Sequence, residues 1–293
     1  MNTASSHDDL PASVARLAAS VIGVGTRRHR SSGVLWRPGV LVGSASALWR
    51  VSTVALTLPD GEQVQGQVRG IDGTTDLAAV QFDSGGVPMA ERTTASAARV
   101  GDFVFAVGRE PSGLTQASFG HIGMTGGEWR TWRGGRVEQL IRLDGGLYPG
   151  LAGAPVADAS GAVLGVASDA FSRQHGVVLP LATVDRVLDQ LLVHGRVQHG
   201  YLGIAAQAAR AVLDGLPVAG LLVSSLAEDG PAARGGLLVG DVIVQVGDEP
   251  VSSLDALRDR LQVGSQVRLS VVRGGQPQAL TLDVAQRPAG RCG

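Results

Sequence analysis

The amino-acid sequence predicts a mainly β fold that ends in a smaller α/β module. Short Val, Leu and Ala segments punctuated by glycine run from about residue 21 to residue 178, which is the pattern of a β-barrel or sandwich. The 293 residues include 42 glycines, whereas only 4% are aromatic and 17% charged. This composition favours many short strands turned by glycine, in a chain long enough for two or three domains.

The hydrophobic period changes once along the chain. Residues 51–58 alternate as in a strand and are followed by a Pro-Asp-Gly turn, but after Pro180 the apolar residues recur at helical spacing. The residues on this helical face are Val184, Val187, Leu188, Leu191 and Leu192. We therefore predict a closing helix near 183–194, a first domain over 1–198, a second domain over 199–288 and a tail over 289–293.

The second domain alternates strands with short helices. Residues 201–204 and 220–224 have the character of strands, and residues 230–236 begin with Gly-Pro and end with Gly-Gly. Proline at the start and glycine at the end are typical of a short helix. These elements predict a compact α/β module.

Charge and motif content exclude several function classes. The formal net charge is −1, and the basic cluster at 27–30 is interpreted as a solvated loop, so we expect no nucleic-acid or membrane partner. No phosphate-binding loop, dinucleotide fingerprint or metal-ligand spacing is present, so no cofactor and no metal are expected. The single cysteine, Cys292, is a tail residue. Residues 1–24 lack the features of a secretory signal, so a cytoplasmic location is the default expectation.

Residues 230–251, GPAARGGLLVGDVIVQVGDEPV, resemble a PDZ segment found in bacterial proteases. The resemblance implies that a tight turn near Gly203 presents main-chain N–H groups to the terminal carboxylate of a peptide, while the next strand pairs with that peptide. The alternative is that Leu202 and Ile204 only pack the core and the groove is closed. The peptide-binding residues expected from the resemblance are Tyr201, Leu202, Gly203, Ile204, Leu257 and Leu261.

Four segments of the first domain resemble HtrA-type trypsin-like proteases. They are SSGVLWRPGVLVGSASAL (31–48), GTTDLAAVQF (73–82), RVGDFVFAVG (99–108) and LDGGLYPGLAGAPV (143–156). The resemblance implies two six-stranded antiparallel barrels with an active site between them. The resemblance also implies a homo-oligomer, specifically a trimer, because proteins of this family commonly form trimers. It makes the cell envelope an alternative location.

The resemblance assigns three positions to a catalytic triad. Ser46 stands where the family has histidine, Asp76 matches the family's aspartate, and Ala152 stands where the family has the nucleophilic serine. Gly150 and Ala152 are left as an oxyanion-hole remnant. Because a triad needs a hydroxyl nucleophile and an imidazole base, these substitutions predict a protein that is not an enzyme.

Three functions follow as hypotheses from different classes. The first is a catalytically inactive homologue that binds peptides or non-native proteins through the PDZ domain. The second is an active serine endopeptidase with an unrecognised arrangement, for which His29 and His121 are the displaced bases considered. The third is a structural subunit of a protease assembly.

Overall fold

The computed structural model describes residues 9–25, 30–93, 98–172, 174–213 and 215–286. The chain divides into two compact units, residues 1–197 and residues 198–293. Most of the basic cluster, including His29, and the tail residue Cys292 lie outside the described residues. Within the described part, no helix has the length and apolar character needed to cross a membrane.

The first unit begins with a helix and a closed barrel of six antiparallel strands, in the order β1-β2-β3-β6-β5-β4. Its elements are α1 (Asp9–Ala18), β1 (Val21–Gly25), β2 (Arg30–Arg37), β3 (Val40–Ser44), β4 (Thr53–Thr57), β5 (Gln63–Asp72) and β6 (Leu77–Gln81). Alternate residues point into the barrel, where Leu35, Leu41 and Leu56 are buried. Gly33 leaves room for Leu41, because a Cβ there would lie 2.6 Å from its Cδ2.

A second closed barrel follows, in the order β11-β14-β13-β12-β7-β8. The strands of this region are β7 (Phe103–Arg109), β8 (Thr115–Gly126), β9 (Trp129–Arg130), β10 (Arg136–Val137), β11 (Leu140–Leu143), β12 (Pro155–Asp158), β13 (Val163–Ser168) and β14 (Val177–Pro180). The strands β9 and β10 form a separate two-stranded ribbon. The prediction of two six-stranded antiparallel barrels is thus confirmed.

The helix α2 (Leu181–His194) follows the second barrel. It buries Val184, Val187, Leu188 and Leu191 in a core cluster that also contains residues of both barrels. Gly195 ends the helix in the left-handed conformation, with φ 71°, which glycine adopts without steric cost. The apolar spacing in the sequence therefore corresponds to one packed helix face.

The second unit is built on a five-strand path in the order β16-β17-β18-β20-β21, with β19 paired to β18. Its elements are β15 (Gly200–Tyr201), β16 (Ile204–Leu213), β17 (Leu216–Leu226), α3 (Pro231–Arg234), β18 (Val242–Val246), β19 (Glu249–Pro250), α4 (Leu254–Asp259), β20 (Gln266–Arg273), β21 (Gln276–Asp283) and β22 (Ala285–Gln286). In this order β16 is an edge strand. An edge strand can accept a further strand along its open side.

Candidate functional site

Asp76 lies at the junction of the two barrels. It occupies the tight turn between β5 and β6, where its φ is 58°, and its surface is only 1% exposed. Such a positive φ is uncommon for a residue other than glycine, although aspartate adopts it more readily than most. The turn therefore holds a buried carboxylate in one fixed direction.

Hydroxyl groups from both barrels donate hydrogen bonds to this carboxylate. Ser44 Oγ, at the end of β3, lies 3.0 Å from Asp76 Oδ1, and Ser168 Oγ, at the end of β13, lies 2.7 Å from Oδ2. The backbone N–H of Ser46 donates to Oδ1 at 2.9 Å. The Asp76 carboxylate thus joins the first barrel to the second.

The environment of Asp76 favours its neutral form. Burial raises the pKa of Asp76 above its ordinary value, although the hydrogen bonds from Ser168, Ser46 and Ser44 act in the opposite direction. A nearby charge on Asp169 adds to the increase. A carboxylate with a raised pKa accepts a proton more readily near neutral pH.

Ser46 is the surface-exposed member of the cluster. Its hydroxyl lies 2.7 Å from Ser44 Oγ, and Ser44 in turn donates to Asp76. The hydroxyl of Ser46 is therefore linked to the carboxylate through one intermediate hydroxyl, and only its backbone N–H contacts Asp76 directly. Ser44 and Ser168 were missed in the sequence, because nothing near them in the chain marks them as partners of Asp76.

The histidines considered as displaced bases do not complete this cluster within the described residues. His121 faces a different carboxylate, with its Nδ1 3.7 Å from Asp144. His29 lies outside the described residues. Among the described histidines, none hydrogen-bonds to Asp76, whose side-chain donors are serines.

The loop at 149–153 is fixed to the first barrel by its carbonyl groups. The Ser32 N–H donates to the Ala152 carbonyl at 3.1 Å, and Ser32 Oγ donates to the Gly150 carbonyl at 2.8 Å. Gly150 has a φ of 92°, which favours glycine. The side chain of Ala152 is a methyl group, so at this position the loop offers backbone groups and no hydroxyl.

Two N–H groups of this loop point away from its internal hydrogen bonds. The Pro149 carbonyl accepts from Gln116 Nε2 at 3.1 Å, and the Leu151 carbonyl accepts from the Ala154 N–H at 3.0 Å. Because the N–H and C=O of a trans peptide point in opposite directions, the N–H groups of Gly150 and Ala152 point the other way. The oxyanion-hole remnant at these two residues stays a prediction.

A second candidate site lies in the second unit, at the turn before β16. Gly203 has a φ of 77°, its carbonyl accepts from the Ala227 N–H at 2.7 Å, and the Leu202 carbonyl accepts from the Ala232 N–H at 2.9 Å. By the same trans-peptide geometry, the N–H groups of Gly203 and Ile204 point away from these contacts. These two N–H groups are candidate donors to a ligand at this turn.

The strand pairing agrees with this direction for Ile204. Ile204 faces Leu226 in the β16–β17 ladder, and the Ala227 N–H bonds to the Gly203 carbonyl on one flank of that pair. This pattern makes Ile204 and Leu226 a non-hydrogen-bonded pair. The Ile204 N–H is therefore directed to the open edge of β16.

The other four residues predicted to bind a peptide are Tyr201, Leu202, Leu257 and Leu261, and they differ in burial. Leu202 and Leu257 are each 2% exposed and belong to the core of the second unit. Leu261 lies beyond the end of α4 and packs against Gly200. A Cβ built on Gly200 would lie 2.4 Å from the Leu261 Cβ. Tyr201 is half-buried, with its hydroxyl 3.4 Å from the position of a Cβ on Gly203.

Comparison with known proteins identifies both units. Residues 31–166 match the trypsin-like peptidase domain, and residues 222–273 match the PDZ domain. The chain is 32% identical over 247 residues to a probable periplasmic serine endoprotease, DegP-like, of Pseudomonas savastanoi, covering 80% of this chain and 51% of that one. A DegP-like relative from Halomonas elongata is 30% identical over 275 residues, covering 89% of this chain and 57% of that one.

Solved structures agree with these relatives. The structure titled HtrA-type protease AlgW with tripeptide has a TM-score of 0.78 and 28% identity, covering 96% of this chain and 98% of that one. The chain is an HtrA/DegP-type protease homologue. It spans about half the length of the two DegP-like relatives.

Membership of the HtrA/DegP group contradicts two of the sequence predictions. The prediction that the chain is not an enzyme is wrong on this comparison, because the relatives are named serine endoproteases. That prediction rested on two side chains, Ser46 and Ala152, although the HtrA-type fold around them is retained. The predicted cytoplasmic location is also wrong, because the relatives are named periplasmic. That prediction rested on residues 1–24, which lack the features of a secretory signal, and a leader peptide does not contribute to the fold.

Proposed function

We propose that this chain captures the carboxyl-terminal ends of polypeptides, from clients or partner proteins, in the groove of its PDZ domain. The observation that carries the proposal is the pair of outward N–H groups at Gly203 and Ile204 beside the open edge of β16. Two convergent N–H groups bind a carboxylate, and an edge strand holds the peptide by main-chain pairing. The AlgW structure titled with a tripeptide supports peptide binding by a protein of this fold.

The test uses the full chain and a display library of short peptides with free carboxyl termini. The tightest binder is then resynthesised with a free carboxylate and with an amide. We expect amidation to weaken binding by at least about tenfold, because one hydrogen bond to a charged group contributes about 1.5 to 3 kcal/mol. Equal affinity for the two forms would contradict the proposal.

A matched pair of glycine variants locates the binding site. Gly203 and Gly215 both have a φ of 77°, so valine at either position is placed in the left-handed region that it disfavours. At Gly203 a Cβ would also lie 3.1 Å from the Ala227 Cβ, whereas at Gly215 nothing lies within 4 Å. We expect Gly203→Val to weaken binding by at least about tenfold, while Gly215→Val binds as the wild type does.

Endopeptidase activity is the second candidate function. The names of the relatives favour it. The candidate nucleophile is the exposed Ser46 hydroxyl, which is linked through Ser44 to the buried Asp76. In this arrangement Ser46 Oγ would attack the carbonyl carbon of the scissile peptide bond and form an acyl ester, while its proton passes to Ser44 and the Ser44 proton passes to Asp76. The C–N bond would then break, and the amine would leave with the proton returned from Asp76 by way of Ser44. Water would hydrolyse the ester and restore the Ser46 hydroxyl. Ser46, Asp76 and Ala152 are proposed to occupy the three triad positions of the family.

A fluorophosphonate probe tests this candidate directly. Attack by Ser46 Oγ on phosphorus forms the ester and expels fluoride, so the labelled protein gains the probe mass at Ser46. We expect Ser46→Ala to abolish labelling and casein cleavage, whereas the control Ser112→Ala retains both; Ser112 is an exposed serine whose hydroxyl also donates to a carboxylate, that of Glu110, at 3.3 Å. A wild-type protein that neither labels nor cleaves casein removes the candidate.

We further propose a location in the cell envelope and assembly as a homo-oligomer. The periplasmic relatives support the location. The assembly, with a trimer as the specific expectation, is supported by the family resemblance of the first domain. Mass measurement of the purified full chain by light scattering tests it, and a monomer at all concentrations would contradict it.

A further inference from the structure

Two of the four tryptophans are exposed on the first unit. Trp132 is 73% exposed and Trp49 is 53% exposed, whereas Trp36 is buried. Tryptophan and arginine are the residue types that dominate binding energies at protein interfaces. In a chain with only 4% aromatic residues, two exposed indoles in one region identify a candidate interaction surface.

Both indoles belong to the surroundings of Gly73. A Cβ on Gly73 would lie 3.6 Å from Trp49 Cζ3, and Arg133 Nη1 donates to the Gly73 carbonyl at 3.2 Å. The Arg133 guanidinium lies over the Trp132 ring, 4.6 Å from its centroid. We call Trp49, Trp132 and Arg133 the tryptophan–arginine patch.

The segment that carries Trp132 and Arg133 is held firmly on the first barrel. The Thr131 N–H donates to the Gly135 carbonyl at 2.9 Å, and Thr131 Oγ1 donates to the Thr74 carbonyl at 2.7 Å. Gly135 packs so closely that a Cβ there would lie 2.4 Å from the Thr74 oxygen. The backbone that carries Trp132 and Arg133 is therefore preorganised, which reduces the entropy lost when a ligand binds.

The charge of the patch is positive. A guanidinium has five N–H donors, and the hydrogen bond to Gly73 uses one of them. Arg50, next to Trp49, is exposed as well. The nearby Asp72 does not offset this charge at the surface, because it is 5% exposed and its oxygens accept from Thr74 and Thr75. Carboxylate groups are the complement of such a surface.

The patch also lies close to the cleft between the barrels. Trp49 follows Ser46 by three residues, across a turn in which the Leu48 N–H donates to the Ala45 carbonyl at 3.1 Å. Gly73 precedes Asp76 by three residues within the turn that joins β5 to β6. A chain bound at the patch would therefore pass beside the Asp76 cluster.

We infer that the tryptophan–arginine patch is a docking site for an extended polypeptide segment that carries carboxylate side chains next to apolar ones. The indoles would cover the apolar side chains and Arg133 would pair with a carboxylate. A polypeptide is favoured over a nucleic acid because the formal net charge of the chain is −1, and a nucleic-acid surface needs an extended positive field. This site is separate from the carboxylate turn of the PDZ domain and does not depend on it.

The test measures the binding of a fluorescein-labelled peptide of alternating Glu and Leu to the full chain. The peptide has an amidated carboxyl end, so the PDZ turn has no terminal carboxylate to capture and the two sites are distinguished. We expect Trp132→Ala and Trp49→Ala each to weaken binding by about tenfold or more, as for an aromatic anchor. We expect Arg133→Gln to remove the preference for this peptide over a Lys-Leu peptide of the same length.

Phe119→Ala is the matched control, because Phe119 is an exposed aromatic residue of the second barrel, 54% exposed. It should bind the Glu-Leu peptide as the wild type does. Unchanged binding in both tryptophan variants would overturn the inference. So would a single-stranded oligothymidylate that binds as tightly as the peptide and loses affinity in the same variants.

Discussion

Replacing Asp241 with alanine is expected to lower the free energy of unfolding of the second unit by on the order of 3 kcal/mol. Asp241 is 1% exposed, and its two oxygens accept from Arg273 Nε and Nη2 at 2.7 Å each. The Leu238 N–H donates to the same carboxylate at 2.8 Å. The substitution removes all three hydrogen bonds and leaves a cavity, while the partly exposed Arg273 guanidinium loses its carboxylate partner and keeps the hydrogen bond to the Gly236 carbonyl at 2.7 Å.

The same carboxylate gives the second unit a defined dependence on pH. Burial acts to raise the pKa of Asp241, but the hydrogen bonds from Arg273 and Leu238 and the charge of Arg273 together hold the pKa below its ordinary value. A lowered pKa contributes stability that is present above the ordinary aspartate pKa and is lost as the pH falls through the lowered value. In Asp241→Asn this part of the acid sensitivity should disappear.

Hydrogen exchange of the amides in β17, β18 and β20 is the appropriate measurement. The four tryptophans all lie in the first unit, so tryptophan fluorescence does not report on the second. Asp283→Ala is the control, because Asp283 is exposed and hydrogen-bonds only to the Gln266 amide among the contacts described here, at 3.0 Å. Equal protection in the Asp241 and Asp283 variants would contradict the assigned role of Asp241.

Replacing Gly153 with alanine is expected to destabilise the first unit by on the order of 3 kcal/mol. Gly153 has a φ of 81°, and a Cβ there would lie 2.3 Å from the Ser32 carbonyl oxygen and 2.7 Å from the Ser44 nitrogen. Both neighbours are backbone atoms of the first barrel, so they cannot move as a side chain can. The loop would have to withdraw from Ser32, which also holds the carbonyl of Ala152.

Gly150→Ala separates the steric effect from the backbone effect. Gly150 has a φ of 92°, so alanine has a similar conformational cost there, but the nearest atom to its Cβ is the flexible end of Gln116. Urea unfolding followed by tryptophan fluorescence reports on the first unit in both variants. We expect Gly153→Ala to be less stable than Gly150→Ala by about 1 to 3 kcal/mol. Equal stabilities would show that the close approach to Ser32 is unimportant.

The candidate sites differ in how far the sequence could predict them. The turn at Gly203 is local in its backbone conformation, because a φ of 77° favours glycine, but the direction of its N–H groups also depends on the hydrogen bonds from Ala227 and Ala232. The Asp76 cluster is not local. Ser168 lies 92 positions from Asp76, and only the closure of both barrels brings the two together.

The sequence by itself determined a β-barrel or sandwich, the helix that follows it and an α/β module, whereas the resemblance to HtrA-type proteases and to PDZ segments supplied the double barrel and the PDZ domain. Strand alternation, helical spacing and the residues of tight turns are local consequences of backbone geometry, so they can be recognised one segment at a time. Only the tertiary structure decided that Ser44 and Ser168 donate to Asp76, that Leu257 is buried and that Trp49 and Arg133 both lie beside Gly73. These contacts depend on barrel closure and on the packing of distant segments, which no local pattern encodes.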